Sequence, residues 1–253
     1  RAMGILELMK ERRIYFDGGM GSLLQARGLK PGELPETWNL SRPEIITEIH
    51  REYLDAGSDV VTTNTFGANH FKFKEEDGYS VKEIVTAAVR NAKNAIAAAG
   101  HGYAALDMGP TGKLLKPYGD LEFEDAYEAY KEVVLIGKEA GADLVIIETM
   151  GDGYELKAAV LAAKENSDLP VFATITLDEK GKMLTGRRYA AGTVQRSGTG
   201  SRCDRFKLWS WADPAAAVYE RYGESVLHPD PREPKCGTSE KRGRKDRLRH
   251  RCR

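Results

Sequence analysis

The chain has 253 residues with 38 basic and 38 acidic side chains, a balance that excludes a uniformly basic nucleic-acid binder. Its length allows one large barrel or two ordinary domains. It has neither an apolar run long enough for a bilayer nor a basic-then-apolar leader, so no membrane partner and a cytoplasmic setting are expected. Beginning at Arg1, it is expected to be a fragment or a processed piece.

Residues 5–12 read as a short amphipathic helix leading into Ile14, Tyr15 and Phe16, an apolar run suited to a strand buried on both faces. Asp17 ends that run, and Gly18, Gly19 and Gly21 surround Met20. A carboxylate at a strand end, followed by glycines, sets an acceptor beside backbone that a ligand can approach. The plainer alternative is a strand-to-helix turn capped by Asp17. Residues 28–42 predict a Gly/Pro-rich loop. Ser41 as N-cap, with Pro43 and Glu44 after it, predicts a helix running to Ala56. Its Ile45, Ile46, Ile49, Tyr53 and Leu54 share one face, and Gly57 stops it.

The same pattern then recurs. Val60 and Val61 lead into TTNTFGAN (62–69), and a helix over 81–99 ends at Gly100. YAALDMGPTG (103–112) is a strand and turn, followed by a helix around 123–138 that ends by Gly141. DLVIIETM (143–150) is the most apolar strand; a helix over 155–165 precedes LPVFATITLD (169–178). Strand, loop and helix at this spacing predict parallel strands with crossover helices. Polar residues cluster at the strand ends: Asp17, Asn64, Thr65, Asp107 and Glu148. DGGMGS is not a dinucleotide-binding glycine loop and no Walker loop is present, which favours a (β/α)8 barrel over a doubly wound sheet. The fold class expected is α/β, a TIM barrel that is incomplete, with about five βα units recognisable.

These residues resemble a known family. FDGGMGSLLQ, WNLSRPEIITEIHREYLDAGSDVVTTNTFGAN, MGPTGKLLKPYGDLEFEDAYEAY, ADLVIIETM and LPVFATITLDEKGKMLTG are similar to the homocysteine S-methyltransferases, and within them to the homocysteine-binding domain of cobalamin-dependent methionine synthase. The resemblance runs from about residue 14 to 186. It implies a barrel that binds homocysteine and activates its sulfur on zinc, which lowers the thiol pKa so that the thiolate attacks a methyl group. It also implies methylcobalamin on a separate domain, with corrinoid-binding and folate-binding domains or proteins as partners. The substrate-binding residues it implies are Asp17 with Gly18 and Gly19, and Glu148 as the acceptor of the substrate ammonium. Asn64 and Thr65 are candidates of equal standing with a purely loop-building role. His50, between Glu48 and Arg51–Glu52 on its helix, is expected to face solvent, and Met108 and Met150 to pack.

The chain departs from the family after Gly186. Residues 1–186 hold 21 Lys+Arg against 30 Asp+Glu, with 11 Ile and no Cys. Residues 187–253 hold 17 against 8, with 13 Arg, no Ile and all three Cys. The family's zinc cysteines lie in G-x-N-C and G-G-C-C motifs, and neither is present; Cys203, Cys236 and Cys252 lack ligand spacing, so no metal ligand is assigned. Residues 200–214, back-translated and read one nucleotide later, permit GVDAIGLNCGLGPT, a sixth strand with its cysteine. Trp209 and Trp211, each with a single codon, force both glycines flanking the leucine after Asn-Cys. Residues 228–253 shifted the same way permit IPIPVNPNAGLPRKEGEKTVYDIDA, which resembles the seventh. The expectation is therefore two segments: 1–186, the N-terminal part of a homocysteine-binding barrel, and 187–253, a basic, disordered, out-of-frame tail that cannot bury enough surface to order itself. No specific nucleic-acid partner follows from such a tail. The enzyme expected is a homocysteine S-methyltransferase, inactive as this polypeptide. The alternatives are a half-barrel binding module with a polyanion-binding tail, or a different TIM-barrel enzyme.

Overall fold

The computed structural model describes residues 4–74, 78–178, 182–185 and 206–208. In chain order these form α1 (Ile5–Glu11), α2 (Met20–Ala26), a 3-10 turn (Pro35–Thr37), α3 (Trp38–Ser41), α4 (Pro43–Asp55), β1 (Val60–Thr62), α5 (Val81–Ala99), β2 (Tyr103–Met108), α6 (Phe123–Glu139), β3 (Leu144–Met150), α7 (Gly153–Asn166), β4 (Val171–Ile175) and β5 (Phe206–Leu208). The five strands are all parallel and lie side by side in sequence order. A doubly wound sheet reverses its order at a switch point; this one never does, which is the winding of a barrel wall.

Side-chain alternation gives that wall two distinct faces. Leu106, Met108, Val145, Ile147, Val171 and Ala173 pack outward against residues of α5, α6 and α7 such as Val85, Val89, Val133, Val134, Ala159 and Ala162. Val60, Ala105, Leu144, Ile146 and Phe172 point the other way, into the barrel, where Ile5 and Met9 of α1 close its floor. Each fully buried Leu, Ile or Val contributes roughly 1.5–3 kcal/mol. The outward face carries most of the core. Met108 and Met150 both lie in it, as expected.

Local signals set the helix ends. Ser80 caps α5 by accepting from Glu83 N, and Glu83 bonds back, while Gly100 stops it at φ 78°. Asp152 caps α7 through Tyr154 N at 2.9 Å.

Three local expectations are corrected. The 14–16 segment makes only a parallel bridge, Phe16 with Val60, and Tyr15 is 60% exposed rather than buried. It lies on the sheet edge, so only the Ile14–Phe16 side finds a core. The 28–42 loop contains the 3-10 turn and α3, because Trp38 is fully buried against Leu24, Ile46 and Ile49, with its Nε1 donating to Glu33. Ser41 is not the cap of α4: it ends α3 with its hydroxyl on Thr37 O, and Arg42 is the N-cap, with no side-chain bond. Within the tail the structure describes Phe206–Leu208, which pair with Ala173–Ile175; the rest of the expectation for 187–253 lies outside the described residues. Among the described residues no helix is long and apolar enough to cross a membrane.

Candidate functional site

The C-terminal ends of parallel strands leave their last polar residues facing the same opening. Asp17 follows the bridge at Phe16, Asp107 is next to last in β2, and Glu148 lies in the last turns of β3. Asp107 shares the face of Ala105 and Tyr103, and Glu148 that of Leu144 and Ile146, so both project from the barrel's inner side. Asp107 pairs with Ile146, two residues before Glu148, which sets the two carboxylates on adjacent strands at the mouth.

β3 is irregular at this point. Ile147 pairs with Ala173 and Met150 with Ile175, so one extra residue is inserted between them. Thr149 takes φ 62°, a left-handed conformation that a β-branched residue rarely adopts, and its N–H donates to Thr174 Oγ1 at 2.9 Å. A bulge of this kind re-aims the side chain beside it, here Glu148.

Each predicted residue has a definite place. Asp17 does not cap α2, whose N-cap is Gly19; its carboxylate crosses to β1 and accepts Thr62 N at 2.8 Å and Thr62 Oγ1 at 3.0 Å. Burial pushes its carboxyl up to about 7, against the pull of both Thr62 bonds, with the charge of Glu148 adding to the rise. Gly18 lies against Tyr53, whose hydroxyl would stand 2.8 Å from any Cβ there, and that hydroxyl donates to Gly19 O at 3.4 Å. Asn64 and Thr65 are buried, and their side chains serve the backbone. Asn64 Nδ2 donates to Pro35 O, and Thr65 Oγ1 to Asp107 O, both at 2.7 Å.

Asp107 is the residue that strand-end reasoning noticed and did not assign. It is 5% exposed, and Oδ1 has no hydrogen-bond partner among the described residues. Its backbone is clamped. The Asp107 carbonyl can only accept, so Thr65 Oγ1 donates there; Thr63 Oγ1 must then donate to Thr65 Oγ1 at 2.7 Å, while Asp107 N donates to Thr63 Oγ1 at 3.1 Å. Burial drives its carboxyl well above the usual range, helped by the charges of Glu148, Asp17 and Glu36. Glu36, itself buried, is tied to Lys72 and to Gly67 N.

A second buried carboxylate holds the loop that follows β2. Glu155 Oε1 accepts Thr111 N at 2.7 Å, Thr111 Oγ1 at 2.6 Å and Tyr130 Oη at 3.0 Å. His50 is the clear correction on the outer layer. It is fully buried, neither ring nitrogen has a partner among the described residues, and burial lowers its pKa to about 4.

The family model for homocysteine S-methyltransferase matches residues 14–199. The chain belongs to that family. Methionine synthase from Mycobacterium tuberculosis is 32% identical over 203 residues, covering 74% of this chain and 17% of that protein. Methionine synthase from Mycobacterium leprae is 33% identical over 205 residues, with the same coverage. The chain thus spans about a sixth of the length of the curated relatives it matches. The apo form of the homocysteine methyltransferase MmuM from Escherichia coli superposes with a TM-score of 0.69 at 22% identity, over 85% of this chain and 80% of that one. Its metallated form gives 0.69 at 19% identity, over 87% and 90%. Those likenesses show the fold to be an incomplete (β/α)8 barrel of this family.

Among the described residues no group of three or more His, Cys, Asp or Glu side chains is disposed to hold a metal, and Cys203, Cys236 and Cys252 lie outside them. The described residues supply no set of ligands that fits the zinc the family resemblance implies.

Proposed function

We propose that the barrel mouth binds the amino-acid end of homocysteine, as the first half of a methyl-transfer site that makes methionine. The observation that carries this is the convergence of Asp17, after the 14–16 segment, with Asp107 of β2 and Glu148 of β3 on one opening. Acidic groups so close raise one another's proton affinity, and a primary ammonium relieves that repulsion by charge-assisted hydrogen bonds. Glu148 is the acceptor that faces the ammonium; Asp17 adds charge beside it, and Gly18 and Gly19 keep the approach free of side chains. Asn64 and Thr65 position rather than touch, since their donors are committed to Pro35 O and Asp107 O. The methyl donor is a corrinoid, with a folate-binding partner beyond it, or another activated methyl donor, carried outside this barrel, in line with methionine synthase relatives several times longer than this chain.

The polypeptide after Gly186 is read out of frame. The shifted reading places Leu-Asn-Cys over the codons of residues 206–209. Phe206–Leu208 stand beside β4 as the sixth strand position, counting from the 14–16 segment, which supports that placement. In the test, the frame is restored after Gly186 and the gene extended through the eighth strand. That protein should bind zinc and homocysteine together and release a proton as the thiol ionises. Zinc binding without any homocysteine affinity would defeat the assignment.

A further inference from the structure

The three glycines after Asp17 are not equivalent. A Cβ at Gly21 would meet nothing within 4 Å, and one at Gly19 only Ser22 Oγ at 3.5 Å, an ordinary contact. At Gly18 a Cβ would stand 2.8 Å from Tyr53 Oη and 3.3 Å from its Cε1 and Cζ. Gly18 does not have a positive φ, so its backbone conformation does not require glycine. The requirement comes from Tyr53. The space a side chain at position 18 would take is already held by that ring and its hydroxyl.

Tyr53 is anchored well enough to hold it. It lies in the last turn of α4, and its ring packs against Leu24, Trp38 and Ile49 in one cluster and Leu54 and Val61 in another. Its hydroxyl donates to Gly19 O at 3.4 Å, and Ser22 Oγ donates to the same carbonyl at 3.2 Å. The neighbouring Glu52 accepts Arg27 Nη2 at 2.6 Å, which ties the far end of α2 to the same turn of α4. On the other side of Gly18, Asp17 is fixed to β1. Its N–H donates to Val60 O at 2.9 Å, and its carboxylate accepts both donors of Thr62. The Gly18–Gly19 link thus runs between a residue held by β1 and a carbonyl held from α4. A close-packed link pinned at both sides cannot yield without displacing one of its ends.

The geometry points to Tyr53 as a positioning residue of the mouth: from α4 it sets the path of the Gly18–Gly19 link, and through it the aim of the Asp17 carboxylate and the clearance for a ligand's head group. This rests on reading the mouth as an amino-acid site. Its consequence is that glycine at 18 and tyrosine at 53 are a matched pair. A methyl group added at 18 is tolerated only where the hydroxyl at 53 is taken away, because the ring contacts at 3.3 Å need to give by only a few tenths of an ångström.

The test is a double-mutant cycle in the 253-residue chain, read twice: by calorimetry with L-homocysteine and by urea unfolding without ligand. Gly18→Ala should weaken homocysteine binding by about tenfold, the size of an ordinary overpacking penalty carried into the site. Tyr53→Phe alone loses only a long hydrogen bond and should bind within about threefold of the unmodified chain. Gly18→Ala combined with Tyr53→Phe should return to that same level. Should Gly18→Ala alone fail to fold, the combined variant must both fold and bind. Unchanged affinity in Gly18→Ala, or a loss that persists in the combined variant, would overturn the role of Tyr53 and leave the amino-acid site standing. Recovery of urea stability without recovery of affinity would do the same, by making Tyr53 a packing residue only. No homocysteine binding by the unmodified chain would overturn both readings.

Discussion

Replacing Glu155 with leucine should cost more stability than any ordinary surface change, because one buried oxygen serves three donors. Glu155 is 4% exposed, and its Oε1 accepts Thr111 N, Thr111 Oγ1 and Tyr130 Oη. Tyr130 keeps an alternative, Gly109 O at 3.1 Å, and Thr111 Oγ1 a weak one, Lys113 O at 3.4 Å. Thr111 N has no second acceptor among these bonds. Hydrogen bonds to a charged group are worth about 1.5–3 kcal/mol, and a buried donor left unpaired costs about 1–3 kcal/mol. With one bond lost outright and two weakened, Glu155→Leu should destabilise the fold by about 3–5 kcal/mol. Urea unfolding followed by circular dichroism would measure it, with Tyr130→Phe expected to cost only about 1 kcal/mol. Hydrogen exchange should show the loop from Gly109 to Leu121 losing protection before α6 does. A loss below about 1 kcal/mol for Glu155→Leu would refute the idea that this carboxylate anchors the loop.

His50→Leu should raise stability at pH 7 by about 1–2 kcal/mol, since it replaces two unpaired buried nitrogens with apolar volume. His50 is neutral when folded, so its stability contribution is complete above about pH 6.5 and is lost as the pH falls towards 4; the variant should lack that decline in acid unfolding. Asp17 works in the opposite sense: its raised carboxyl makes the folded state the better proton binder, so stability falls as pH rises from about 4 to 7, and Asp17→Asn should flatten that stretch of the curve. Thr149→Gly should relieve the left-handed backbone, about 1–2 kcal/mol, less the roughly 0.5–1 kcal/mol that glycine adds in unfolded-state entropy, so a small net gain by thermal unfolding is expected.

The parallel order of the wall and the strand ends at Asp17, Asp107 and Glu148 were legible because apolar runs, glycine stops and caps such as Ser80 are local signals. What the sequence could not show came from contacts far apart in the chain. His50 sits in a polar stretch of α4, and only the packing of that helix reveals that it is buried. The Asp17 carboxylate looked like a turn cap because its partner, Thr62, is 45 residues away. Asp107 was visible as a strand end, but its clamp by Thr63 and Thr65 and its unpaired oxygen depend on two strands meeting. Trp38 made an apparent loop helical by being buried, a tertiary effect that Gly/Pro content cannot report.

The central claim, that this mouth holds the head of an amino acid, is tested most directly by calorimetry of L-homocysteine against the chain and its Glu148→Gln variant. Loss of one charge-assisted bond to the ammonium, about 1.5–3 kcal/mol, predicts binding weaker by about tenfold or more in the variant. Equal affinity in the two proteins, or no binding to either, would contradict it.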